Sequence, residues 1–100
     1  MAGFVQIIEF TTSRVDELQK LADDWRAGRE GEPGGPVRGV FSRDRDNPNR
    51  CVNIIEFASY EEAMANSERA DTTEFAAQLA ALCDAPPKFS NLDVVEEWTR

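Results

Sequence analysis

QIIEF at residues 6–10 returns as NIIEF at residues 53–57, and the two copies organise the rest of the chain. Each is a short run of β-branched and aromatic side chains, too brief for an ordinary helix, and so reads as a strand. The first extends to FVQIIEF over 4–10 and the second to CVNIIEFA over 51–58. Each is followed within a few residues by a serine able to open a helix. Ser13 stands three residues before Asp16 as a weak capping box, whereas Ser59 and Glu62 form a better one. The chain therefore looks like two βα halves.

The intervening residues fill in the order. Leu18, Leu21, Ala22 and Trp25 make one apolar helical stripe, while Glu17, Lys20, Asp23 and Asp24 fall largely elsewhere. Gly28, Gly31, Pro33, Gly34, Gly35 and Pro36 end that helix in a loop. VRGVFSR at 37–43 resumes strand-like alternation, and Asp46, Asn47, Pro48 and Asn49 supply the turn of a hairpin into the second copy. Asp71 and Glu74 repeat the capping spacing just before Phe75, Leu79 and Leu82. The second helical region is thus expected in two pieces, with a break between Ala70 and Thr72. Pro86 and Pro87 stop the second piece, and FSNLDVVEEW at 89–98 supplies a last strand. Strand, helix, strand, strand, helix, strand is the order of the ferredoxin-like βαββαβ fold, an α+β arrangement with a four-stranded antiparallel sheet. At 100 residues the chain is expected to form one domain over 1–100.

Helices cover one face of such a sheet, yet the strands are apolar on both. Phe4, Ile8 and Phe10 alternate with Val5 and Ile7, and Ile55 and Phe57 with Ile54. Leu92 and Val94 alternate with Val95 in the last strand. The simplest cover for the second face is the same face of another copy, so a homodimer is expected.

Charge narrows the partners. Lys and Arg number 11 against 19 Asp and Glu, and the net charge of −8 repels nucleic acid and anionic membranes. Arg38, Arg43, Arg45 and Arg50 form a local basic group, but Asp44 and Asp46 interleave with it, and it reads as a solvated hairpin tip. No apolar run approaches membrane-spanning length, and the N-terminus carries no basic, then apolar, leader pattern. A cytoplasmic location is expected. Cys51 and Cys83 lack the spacing of a metal site or redox pair and read as small buried apolar residues.

In the stretch GVFSRDRDNPNRCVNIIEFASYEEAMANSERADTTEFAAQL, Gly39 to Leu79, the chain resembles the antibiotic biosynthesis monooxygenase-like domains of the dimeric α+β barrel superfamily. The likeness extends over nearly the whole length. It implies a dimeric α+β barrel and, for members that oxidise aromatic polyketides, chemistry without metal or flavin cofactor. Those members use an Asn on the third strand and a Trp four residues later. Asn53 matches the Asn, and Phe57 occupies the Trp position, keeping a flat apolar wall without the indole donor. The helical Tyr of the family falls near Ala63. Haem-degrading relatives hold iron through a helical His, and the chain has no His, which excludes that ligation.

The resemblance gives Asn53 as the catalytic candidate, with Phe57, Trp25 and Phe75 shaping the cavity for a small aromatic molecule, and the repeat adds Gln6 as a further substrate-binding candidate. Each has a plainer reading. Gln6 and Asn53 occupy equivalent places in the two copies and face the same way, so they either meet a ligand or satisfy each other and nearby backbone. Trp25 either roofs a pocket or packs the core. Glu9 and Glu56 face the opposite side, as an acid–base pair or, more simply, as partners of strand-edge arginines. Trp98 suits an anchor against a neighbouring subunit, and Tyr60 a pocket mouth or an exposed position. Two functions remain open: a cofactor-independent monooxygenase, with an isomerase or cyclase as its enzymatic variant, and a non-catalytic ligand-binding or interaction module.

Overall fold

Strand β1, Phe4–Thr11, takes the centre of the sheet because its side chains are apolar on both faces and both its edges are paired. The computed structural model describes residues 3–31 and 34–100; Met1, Ala2 and Pro33, used in reading the leader and the first loop, lie outside these. Helix α1 follows at Val15–Gly28, then β2 at Arg38–Arg43 and β3 at Arg50–Phe57. Helices α2, Tyr60–Ser67, and α3, Ala70–Ala81, lead to β4 at Lys88–Asp93. The sheet order is β2-β3-β1-β4, antiparallel throughout, which is the ferredoxin-like α+β fold.

The two copies of the repeat are each other's partners. Phe4 lies opposite Phe57, Gln6 opposite Ile55, Ile8 opposite Asn53 and Phe10 opposite Cys51. With a period of two, these eight residues share one face. All three helices pack there. Phe10 and Cys51 cluster with Val15 and Leu18 of α1 and Leu79 of α3, and Phe4 and Phe57 cluster with Ala63 of α2. The opposite face carries Val5, Ile7, Val52, Ile54, Val40 and Leu92, none of them fully buried.

Four local readings need correction. Ser13 does not cap α1. The preceding Thr12 is wholly buried, donates from Oγ1 to the Leu82 carbonyl (2.6 Å) and accepts the Arg14 N–H (2.9 Å), and so takes over the turn into the helix. Ser13 Oγ turns instead toward Asp84 (3.5 Å). The helical break falls at Glu68 and Arg69, slightly earlier than expected, because Arg69 adopts an extended conformation ahead of α3. Asp71 therefore lies in the first turn rather than at its cap, and Arg69 holds its carboxyl below the usual carboxylate range. The last strand stops at Asp93, opposite Phe4, where β1 begins; beyond it Val95 and Trp98 are exposed.

Ser59 does cap α2: its Oγ accepts the Glu62 N–H at 3.1 Å. Ser59→Ala should cost about 1 kcal/mol of stability, read as a lower urea midpoint with unchanged slope.

Candidate functional site

A cavity of about 720 Å3 opens between α1 and the β2–β3–β1 part of the sheet. Ile8, Phe41, Asn53 and Ile55 form its floor, all on the helix-facing side by their register. Trp25 of α1 lines it from above, and Phe75 of α3 closes one side. The two rings stack, with centroids 4.8 Å apart and planes 23° from parallel. Gly31, Gly34 and Pro36 of the loop after α1 line the remaining wall. Three loop glycines, Gly31, Gly34 and Gly35, have positive φ, so a side chain at any of them would strain this turn.

Of the five expected site residues the fold brings three together: Asn53, Trp25 and Phe75. Gln6 lies outside the cavity and donates from its amide to Asn91 Oδ1 across the β1–β4 pair (3.1 Å). Gln6 and Asn53 therefore do not satisfy each other. Among the described residues the Asn53 amide has no hydrogen-bonding partner, and it faces the cavity with both donor and acceptor free. Phe57 is also outside. It is 1% exposed and packs against Phe4 and Ala63 under α2. Tyr60 is half-exposed with its ring edge-on to Phe4 (5.4 Å), away from the cavity.

The cavity mouth holds groups that the sequence reading did not single out. Arg29 lies with its guanidinium 4.6 Å from the Trp25 ring centroid and donates to Asn66 Oδ1 at 2.7 Å. Arg26 lines the same mouth, ion-paired with Asp23, whereas Arg38 borders the cavity but sends its guanidinium to Glu56 on the opposite sheet face. The spacing of Trp25 and Arg29, four residues apart on a helix, was the available signal. Trp25 Nε1 is closed off from solvent and has no acceptor among the described residues, an arrangement costing about 1–3 kcal/mol.

Other sequence candidates resolve into structural roles. Glu9 binds Arg50 (2.7 Å) and Glu56 binds Arg38 (2.8 Å), so the two carboxylates are separate strand-edge ion pairs. Asp44 Oδ1 accepts the Asp46 and Asn47 N–H groups and caps the hairpin turn; those backbone donors, with Arg50, hold its carboxyl low. Burial pushes the Cys51 thiol up, and Cys83 likewise, so neither is poised as a thiolate. No helix among the described residues is long and apolar enough to cross a membrane.

Neither a protein-family model nor a curated protein sequence matches the chain. Solved structures do. The chain is similar to SnoaB, a cofactor-independent oxygenase from Streptomyces nogalater, with 19% identity over 100% of both chains and a TM-score of 0.82. A conserved protein from Methanosarcina mazei matches with 13% identity over 93% of each chain and a TM-score of 0.79. A candidate antibiotic biosynthesis monooxygenase from Deinococcus radiodurans matches with 13% identity over 97% of each chain and a TM-score of 0.79. The chain thus has the fold of the antibiotic biosynthesis monooxygenase-like proteins, as the resemblance in its sequence implied. At these identities the likeness is one of fold.

Proposed function

We propose that the protein is a small homodimer that binds an aromatic molecule between α1 and the sheet and oxidises it with dioxygen, as a cofactor-independent monooxygenase. The observation that carries this reading is the cavity of about 720 Å3 reaching an unpartnered Asn53. Its volume is within the usual range of small-molecule sites, roughly 300–1,000 Å3, and its floor is apolar around Asn53, while Asp23, Arg26, Arg29 and Glu30 also line it. A packed interior would have favoured a structural role for the same residues.

The chemistry suits a substrate that activates oxygen itself. An electron-rich ring with an acidic methylene loses a proton to water, and the resulting enolate passes an electron to dioxygen. The two radicals combine as a peroxide, and loss of water leaves a carbonyl, so that R2CH2 and O2 become R2CO and H2O. Asn53 would donate its amide N–H to the enolate oxygen and hold it in place, while the stacked Trp25 and Phe75 rings wall the cavity beside the substrate. Oxygen uptake with an anthrone as substrate tests this. Asn53→Ala should lower turnover about tenfold or more, consistent with loss of one oriented donor. Equal rates would remove Asn53 from the mechanism.

One observation favours binding without turnover as a second reading: Phe57 lies outside the cavity, so that position gives the substrate no side-chain contact beside Asn53. An anthrone that binds but consumes no oxygen would select it.

Homodimerisation rests on the opposite sheet face. Val5, Ile7, Val52 and Ile54 form a contiguous apolar surface over the central strand pair, with Glu9–Arg50 and Glu56–Arg38 at its ends. An identical surface covers it with matching shape and polarity.

A further inference from the structure

We propose that the ligand of this cavity carries an anionic oxygen group, a carboxylate, seated on Arg29; this rests on the ligand-binding reading above and deepens it. Two guanidinium groups line the mouth, and one of them is already neutralised. Arg26 is paired with Asp23, and the Arg38 guanidinium turns to Glu56 on the opposite sheet face at 2.8 Å. Among the described residues Arg29 bonds only neutral oxygens, Asn66 Oδ1 at 2.7 Å and Thr72 Oγ1 at 3.5 Å. Asp71 lies within reach of its field, but both oxygens of that carboxylate are held by Arg69, each at 2.9 Å. A guanidinium has five N–H donors in a rigid fork. Two neutral acceptors on one side leave most of that fork unused.

The group is also fixed in advance. Asn66, 9% exposed, grips Arg29 from the end of α2, and the Trp25 ring lies against the guanidinium on another side. Trp25 is in turn stacked on Phe75. A side chain held by a buried amide and an aromatic face loses little further freedom on binding, so the attraction to an anion is not spent on ordering it. A bidentate carboxylate is the partner that satisfies both the charge and the fork. The setting makes this selective, because a chain of net charge −8 repels anions elsewhere on its surface. Arg29 is at the mouth and Asn53 on the floor, which places the acid of the ligand outward and its reacting ring inward.

Anthracenecarboxylate and anthracenecarboxamide, equal in shape and different in charge, provide the test by fluorescence titration of the whole protein. The acid should bind about tenfold more tightly than the amide. Arg29→Gln should erase that preference while leaving amide affinity within about twofold, and Arg38→Gln should retain it. Arg29→Lys keeps the charge without the planar fork and should lose several-fold of the acid affinity alone. If Arg29→Gln does not fold, Arg29→Lys decides, and an unchanged acid-to-amide ratio there overturns the assignment. Equal binding of both probes by the parent protein refutes the anion seat and leaves the cavity reading standing. Absence of binding by either probe overturns both.

Discussion

Phe10→Ala should destabilise the protein by about 3–5 kcal/mol, the usual cost of emptying a fully buried phenylalanine site. Phe10 is 1% exposed and packs within one cluster against Leu18, Cys51 and Leu79, so it joins the central strand to α1, β3 and α3. Truncation leaves a void that three different elements would have to close, and β1, paired on both edges, cannot shift toward it. Domains of this size are stable by only about 5–15 kcal/mol in total. The melting temperature should fall by roughly 4–8 °C for each kcal/mol, a change that circular dichroism reads directly. Phe89→Ala is the control: that ring is 51% exposed on β4, and its loss should change stability by no more than about 0.5 kcal/mol. Similar losses for the two variants would show that the core has been placed wrongly.

That core was legible because the QIIEF and NIIEF copies leave only two choices of face. Once Phe10 points inward, Ile8, Gln6 and Phe4 must follow, and the repeat assigns Cys51, Asn53, Ile55 and Phe57 the same side. Parity does not say which helix covers which part of the strand. Asn53 and Phe57 share a face but stand four residues apart, about 13 Å along a strand. One lies beneath the gap at α1 and the other beneath α2. Gln6 shares that face as well, but its amide is satisfied by Asn91 on β4 and stays out of the cavity. Arg29 was missed for a related reason. Its role depends on Asn66, which lies 37 residues away and meets it only through the packing of α1 against the α2–α3 junction. Local capping signals failed where a neighbour competed, as Thr12 did with Ser13, and succeeded at Ser59, where none did.

Ile54→Asp should convert the proposed homodimer to a monomer while leaving the subunit folded. Ile54 lies opposite Ile7 and Val40 on the sheet face away from the helices, at the centre of the apolar surface. A carboxylate there remains solvated in the isolated subunit, so folding should change little; in the dimer it would be desolvated without a cation opposite it. Two-fold symmetry places the substitution on the interface twice, so a cost of about 2–3 kcal/mol per site becomes about 4–6 kcal/mol per dimer. That is roughly a thousandfold to ten-thousandfold rise in the dimer dissociation constant. Sedimentation velocity should therefore show a single species of half the mass at concentrations where the parent is dimeric, with the helical circular dichroism of the parent retained. Exposed Leu92→Asp, at the rim on β4, should act in the same direction with a smaller effect, because water still reaches it. If the parent chain itself sediments as a monomer at high concentration, the apolar sheet face has another occupant, and the self-complementary pairing is refuted.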